Sequence, residues 1–147
     1  MSFESAIQTA IHNRLSTYAP LVAALPAHAD PNVSGPAVYD DVPQAAQSES
    51  NAAFPFVTVG EDTHNANDTD DSIGADSTIT INCWSRFRGR RELKHIQGLI
   101  YDALHRFELD LGALSLTTIE WEYSEVIMES DARTRHGVQR FRILIEN

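Results

Sequence analysis

Cysteine, long apolar stretches and secretory features are scarce or missing in this chain. Its 147 residues include one cysteine, which excludes an internal disulfide framework and suits assembly in a reducing cytoplasm. That residue, Cys83, lies on the apolar side of a predicted strand, which favours a small core side chain over a nucleophile. No apolar run reaches the roughly 18 residues of a membrane helix, and Met1-Ser-Phe-Glu lacks the basic and apolar regions of a secretory signal. We therefore expect neither a membrane span nor a secretory leader.

Positive charge is also scarce, and it is unevenly placed. Arg14 is the only basic residue before Arg86, against eleven acids, whereas ten basic and ten acidic residues follow from Arg86 onward. The net charge is −10. Because nucleic-acid binding depends mainly on cationic contacts with phosphate, a chain this acidic is expected to repel DNA rather than to bind it.

Residue patterns typical of active sites are absent from the sequence. There is no glycine-rich phosphate loop and no Gly-x-Ser-x-Gly elbow, and no histidine pair has the spacing of a zinc-binding helix. The acidic segment 61–76 fails the calcium-loop template in each register tested, so a solvated, mobile hairpin loop is favoured, with a weak cation site shared between subunits as the alternative. We expect no catalytic, cofactor-binding or metal-binding residue. The aspartates of this segment are Asp62, Asp68, Asp70, Asp71 and Asp76.

The most informative stretch runs from Ser77 to Gly89. Apolar and polar residues alternate along it, which predicts a strand with one buried face and one polar face. Trp84 falls on the polar face, so we expect it to meet another subunit or another part of the chain. The corner that follows has almost no counter-charge, and it forms either a subunit interface or a solvated basic surface. Its arginines are Arg86, Arg88, Arg90 and Arg91.

Apolar residues at spacings of three and four predict two main helices. The first spans Phe3 to Thr17, with Ser2 as its N-cap and Pro20 ending it. The second spans about Arg90 to Leu111 and ends at Gly112. Gly98 lies inside it at a cost of about 1 kcal/mol relative to alanine, so we expect a neighbouring element to pack closely there.

The remaining elements are predicted to be strands and loops. The segment 21–53 is mostly loop, with a short strand at Val38-Tyr39, and a second strand spans Phe54 to Asp62, where Pro55 marks either an edge strand or the strand's start. The strands Leu116–Met128 and Thr134–Glu146 are predicted to pair antiparallel, because one register joins apolar residues on one face and opposite charges on the other. The predicted pairs are Trp121 with Phe141, Ile119 with Ile143, Glu122 with Arg140, and Glu120 with Arg142.

Together these elements predict an α+β fold. We expect a mostly antiparallel sheet of four to five strands with the two main helices packed on one face. The length suits one domain, residues 1–147, with loops at about 20–53 and 61–76.

Four fragments in order carry a family resemblance: Val38-Tyr39-Asp40-x-Val42-Pro43, then Phe54-Pro55-Phe56-Val57-Thr58-Val59-Gly60-Glu61, then Ile81-x-x-Trp84-Ser85-Arg86-x-x-Gly89, then Arg135-His136-Gly137-Val138-Gln139-Arg140-Phe141-Arg142. They resemble the tail-completion, or tail terminator, proteins of long-tailed bacteriophages and gene transfer agents. The resemblance implies a structural protein of the virion, without enzymatic activity. It also implies a hexameric ring at the head-proximal end of the tail tube, which ends tube polymerisation and joins tail to head.

The resemblance also implies partners and a location. The partners would be further copies of the chain, the tail tube protein and a head-tail neck or stopper protein, in the neck region of a virion tail that is assembled in the host cytoplasm. DNA would pass through the channel without specific binding, and no membrane is involved. Trp84 and the four corner arginines would lie at a subunit or partner interface, and the aspartates of segment 61–76 would face the channel. The alternatives are a head-side neck or stopper protein, or a small metal- or ligand-binding α+β domain.

Overall fold

The computed structural model describes residues 3–47 and 51–147, and its central element is a five-stranded sheet. The strands, in the chain order β1 to β5, are Val38–Tyr39, Phe56–Ala66, Gly74–Ser85, Ser115–Met128 and Arg135–Glu146. They lie in the order β1-β2-β3-β5-β4. β1 runs parallel to β2, and the other neighbours are antiparallel. The helices α1, α2 and α3 are Phe3–Thr17, Ala19–Ala24 and Arg91–Leu104. The α+β fold with a mostly antiparallel sheet is therefore confirmed.

The main core lies between one face of the sheet and the helices. In β3 the alternation predicted from the sequence places Ile79, Ile81 and Cys83 in this core. The predicted apolar stripes of α1 and α3 pack on the same side. Their buried members are Ile7, Ile11 and Leu15 in α1 and Leu93, Ile96, Ile100 and Leu104 in α3. Cys83 is 1% exposed, and burial raises the pKa of its thiol to about 12, as expected for an inert core residue.

The bounds predicted for α1 are confirmed, and the predicted cap Ser2 lies outside the described residues. The prediction for Pro20 was incomplete, because this proline also stands in the first turn of α2. Proline suits that position since its missing N–H would have no intrahelical partner there. Part of the segment predicted as loop is therefore helical, and Leu21 is fully buried in the core.

The predicted end of the second helix was wrong. α3 ends at Leu104, because His105 has an extended backbone and Arg106 takes a positive φ of 57°. The backbone N–H of Arg106 then donates to the carbonyl of Ile119 in β4. Phe107 and Leu111, which continue the helical spacing, reach the core from a non-helical connecting segment instead. Gly112 lies in that segment with a φ of 69°.

The β4–β5 register confirms most of the predicted pairs. Ile119 lies opposite Ile143, Trp121 opposite Phe141 and Glu120 opposite Arg142. The pair of Glu122 with Arg140 was wrong, because a bulge at Glu122 places Tyr123 opposite Arg140. A bulge of this kind adds one unpaired residue to a strand and increases its local twist.

The acidic segment 61–76 is shorter as a loop than predicted. β2 continues to Ala66, and its pairing with β3 continues to Ala66 opposite Ala75. The connection is a turn at residues 67–73, called the acidic turn below. β2 begins at Phe56 rather than Phe54, and since it lies between β1 and β3 it is an interior strand, so Pro55 precedes its start.

Of two glycines in the helix and the sheet, only one marks a close approach between these elements. At Gly98 an added Cβ would meet no described atom within 4 Å, so the expected close packing was wrong. At Gly137 in β5 a Cβ would lie 2.7 Å from both the Sγ of Cys83 and the Nε2 of Gln97. Gln97 of α3 is buried there and donates from Nε2 to the carbonyl of Glu125. The absent side chain at Gly137 thus lets α3 place a polar group against the sheet.

Candidate subunit interface at the arginine end of the sheet

Trp84 packs within the chain on the face of the sheet opposite the helices. A second, smaller cluster covers this face, and Trp84 packs against it. The indole stacks on His136 with ring centroids 3.8 Å apart and an interplanar angle of 9°, and it lies 6.1 Å from the ring of Phe56. The cluster consists of Ala37, Tyr39, Ala46 and Phe56, with Ala29, Val42, Ala53, Phe54 and Trp84 packed against it.

The segment that the sequence predicts as loop therefore contributes most of the cluster on which Trp84 packs. This packing removes the reason for placing the indole against another subunit, and an interface role for Trp84 stays a prediction. The indole Nε1 is buried and has no hydrogen-bond partner among the described residues. Such a group costs stability, since it has lost its hydrogen bond to water.

His136 connects the Trp84 stack to β3 and to the turn between β4 and β5. Its Nε2 lies 2.7 Å from Oδ1 of Asn82 in β3, and its Nδ1 lies 3.0 Å from the carboxylate of Glu129. Burial lowers the pKa of His136, although the Glu129 carboxylate acts in the opposite direction. The ring is thus fixed on both sides at the end of β3 and the start of β5.

The corner arginines lie at the end of the sheet where β3 ends and β5 begins. We call this region, residues 86–91 and 129–135, the arginine end. Arg86 is half-buried: its guanidinium lies 4.3 Å from the centroid of the Phe54 ring, and its Nε donates to Oγ1 of Thr134. Arg86 therefore joins the corner to the β4–β5 turn, whereas Arg88, Arg90 and Arg91 are exposed.

Residues distant in sequence enlarge this basic surface. Nη1 of Arg135 donates to the carbonyl of Phe87, which brings the start of β5 against the corner. Arg133 lies in the same turn and donates to the side chain of Asn51. Phe87 is 53% exposed among these arginines. Sequence reasoning missed Arg133 and Arg135, because only the pairing of Ser85 with Arg135 brings them to the corner.

Asp131 organises the β4–β5 turn. Its Oδ1 accepts the backbone N–H groups of Arg133 and Thr134, and its Oδ2 accepts the hydroxyl of Thr134. These hydrogen bonds lower the pKa of Asp131 to about 2, the backbone and hydroxyl of Thr134 contributing most. Oγ1 of Thr134 also accepts a hydrogen bond from Nε of Arg86. The Asp131 carboxylate therefore helps to position Arg86 through Thr134.

The N-terminal turn of α3 is held against the same corner. The hydroxyl of Ser85 donates to the Glu92 carboxylate at 2.8 Å and accepts the N–H of Phe87. The Ser85 hydroxyl thus links the backbone after β3 to Glu92, which also places a negative charge in the first turn of α3, where the helix dipole favours it. The corner is therefore a hydrogen-bonded structure that holds Arg88 and Arg90 outward.

The five aspartates expected in the acidic loop occupy different settings. Asp70 and Asp71 are exposed in the acidic turn, and Asp68 accepts the N–H of Gly74. Asp62 and Asp76 lie within strands, which corrects their placement in a loop. Asp76 binds Arg142 through two hydrogen bonds of 3.0 and 2.7 Å, which lower the pKa of Asp76.

The histidines do not converge on a shared centre in the described part of the chain. Nε2 of His12 lies 3.2 Å from the carbonyl of Val38, and Nδ1 of His28 accepts the N–H of Asp30. Within residues 3–47 and 51–147, no three histidine, cysteine or carboxylate side chains lie together as metal ligands would. No helix in those ranges combines the length and hydropathy needed to cross a bilayer.

Comparison with known proteins gives three concordant similarities. The family of tail completion protein gp17 matches residues 9–146. The tail completion protein gp17 of Bacillus phage SPP1 is 24% identical over 94 residues, which are 64% of this chain and 69% of the relative. A chain of the virion of a native gene transfer agent particle has the same fold, with a TM-score of 0.77 at 22% identity, over 99% of this chain and 100% of that chain.

Proposed function

We propose that this chain, which belongs to the tail completion protein gp17 family, forms a hexameric ring at the head-proximal end of the tail tube. As a member of that family, the chain is a structural component of a phage-type tail. The ring stops tube polymerisation and presents the surface on which a neck or stopper protein docks. Its partners are further copies of the chain, the tube protein and that neck protein. DNA passes through the ring without specific binding.

The observation that carries this proposal is the arginine end. Protein interfaces are enriched in arginine and aromatic residues, and here exposed arginines surround Phe87, which is 53% exposed. In a chain with a net charge of −10, a local cationic surface is suited to an acidic protein surface. Since complementary charge fixes register and rejects wrong partners, this surface supports a specific subunit contact.

The experiment replaces the exposed arginines together, as Arg88→Ser, Arg90→Ser and Arg91→Ser. We expect the variant to stay folded, because exposed substitutions usually change stability by less than about 0.5 kcal/mol each and serine is a favourable residue at the N-cap position of Arg90. We also expect it to lose incorporation into tails. Circular dichroism measures folding, and a complementation assay counts tails completed with the variant.

The matched control is Arg106→Ser. This side chain is 72% exposed and lies outside the arginine end, beside Glu120. The control removes one positive charge but keeps the proposed contact, so tails should be completed as with the unmodified chain. Normal tail completion by the triple variant, or loss of its folding, would refute the interface assignment.

A further inference from the structure

The two ends of β3 carry opposite charge. The acidic turn stands at the start of β3 and the arginine end at its other terminus, 12 residues along the strand. At about 3.3 Å per residue this separation is about 36 Å. The two surfaces therefore cannot meet within one copy of the chain.

The acidic turn is well defined by its own hydrogen bonds. The N–H of Thr69 donates to the carbonyl of Ser72, and their hydroxyl oxygens lie 2.8 Å apart. Asp70 and Asp71 lie between them and are exposed. Ile73 follows and is 57% exposed, so an apolar residue accompanies the acids as Phe87 accompanies the arginines.

We propose that the acidic turn of one copy docks on the arginine end of the next copy in the ring. Asp70 and Asp71 face Arg88 and Arg90, and Ile73 packs on Phe87. The proposal rests on the ring described above and names the surface that each subunit gives to its neighbour.

Two arguments favour a second copy as the occupant. The acidic turn combines carboxylates with the exposed Ile73, and the arginine end combines guanidinium groups with the exposed Phe87. The two surfaces are therefore opposite in charge, and each offers one apolar side chain to the other. A contact between two different surfaces of identical subunits is heterologous, and heterologous contacts generate closed rings when the rotation allows. The acids of the turn are consequently used at a subunit contact rather than along the channel.

The test joins the two ends with cysteines. Cys83 is buried, so cysteines introduced as Ile73→Cys and Phe87→Cys are the accessible thiols of the variant. A short bismaleimide is added to tail-containing particles and to concentrated protein, and the products are separated on a denaturing gel. The double variant should give a ladder of multimers, whereas each single variant should give at most a dimer.

The outcomes separate this inference from the proposed function. Rings on tails without a ladder would overturn the docking of turn on arginine end and leave the ring intact. A ladder without rings at the tail end would support the docking and contradict the proposed function. Absence of a ladder in both particles and concentrated protein would overturn the docking.

Charge reversal gives an independent readout. Arg88→Glu with Arg90→Glu, or Asp70→Arg with Asp71→Arg, places like charges at each contact, and each variant alone should fail to assemble. An equal mixture of the two variants should assemble, because every contact in an alternating ring is again complementary. Failure of the mixture, with both variants folded, would overturn the proposal.

Discussion

Replacing Trp84 with alanine should destabilise the isolated chain, because the indole is part of the second cluster. Truncation of a fully buried tryptophan to alanine costs about 3–5 kcal/mol of unfolding free energy. Trp84 is only half-buried, so its truncation should cost less. The unpartnered Nε1 lowers the net contribution further, since its removal relieves a buried donor. We expect a loss of about 2 kcal/mol in the free energy of unfolding.

The assay is urea unfolding followed by far-ultraviolet circular dichroism, because Trp84 is one of only two tryptophans and its loss alters the fluorescence signal. The urea concentration at the unfolding midpoint should fall, while the slope of the unfolding free energy against urea concentration stays unchanged. Trp84→Phe should stay within about 1 kcal/mol of the unmodified chain, since it keeps a stacked ring and removes the unpaired donor.

Trp121→Ala provides the control for loss of a tryptophan. Trp121 is 42% exposed and lies at the rim of the helix-covered face, 6.0 Å from Tyr101. Its replacement should cost less than that of Trp84. If Trp84→Ala unfolds at the same urea concentration as the unmodified chain but fails to assemble, the indole acts between subunits and our reasoning is refuted.

The other stability predictions can be measured in the same way. Gly137→Ala should cost about 1–3 kcal/mol because its Cβ overlaps Cys83, whereas Gly98→Ala should stabilise by about 1 kcal/mol; equal effects in urea unfolding would contradict the packing described for β5. Asp131 has a folded-state pKa of about 2, below its value in an unfolded chain. Its stabilisation should therefore be present above about pH 4 and be lost as pH falls towards 2. Asp131→Asn should lower the melting temperature at pH 7 and flatten its fall between pH 4 and 2; an unchanged profile would contradict the role of the turn.

The strand pairing of β4 and β5 shows how much the sequence reveals. Alternation of apolar residues and the opposed charges correctly predicted three of four pairs, because only one register satisfies both faces. The fourth pair failed at the bulge of Glu122. A bulge depends on how the whole sheet twists, and Glu122 carries no local signal for it.

The end of α3 failed for a related reason. Phe107 and Leu111 continue the helical spacing, so periodicity alone could not distinguish a helix from a connecting segment that buries Leu111 and partly buries Phe107. In contrast, Gly137 did carry a signal that was overlooked. A glycine inside a strand often marks a close approach of another element, and here α3 is that element.

The arginine end was only partly visible in the sequence. The corner from Arg86 to Arg91 is continuous in the chain, but Arg133 and Arg135 join it only through the pairing of β3 with β5. Trp84 was correctly placed on the strand face opposite Ile79, Ile81 and Cys83. Its ring partners Phe56 and His136 lie on neighbouring strands, but most of the second cluster comes from a segment rich in proline and alanine. The path of that segment has no periodic pattern, so the cluster could not be derived from the sequence.

The position and number of copies in tail-containing particles test the central claim most directly. Cryo-electron microscopy of such particles, with the chain labelled by a small fused tag, would locate it. We predict a hexameric ring at the head-proximal end of the tail tube. Copies on the head side of the neck, copies distributed along the tube, or absence from the particles would contradict the account.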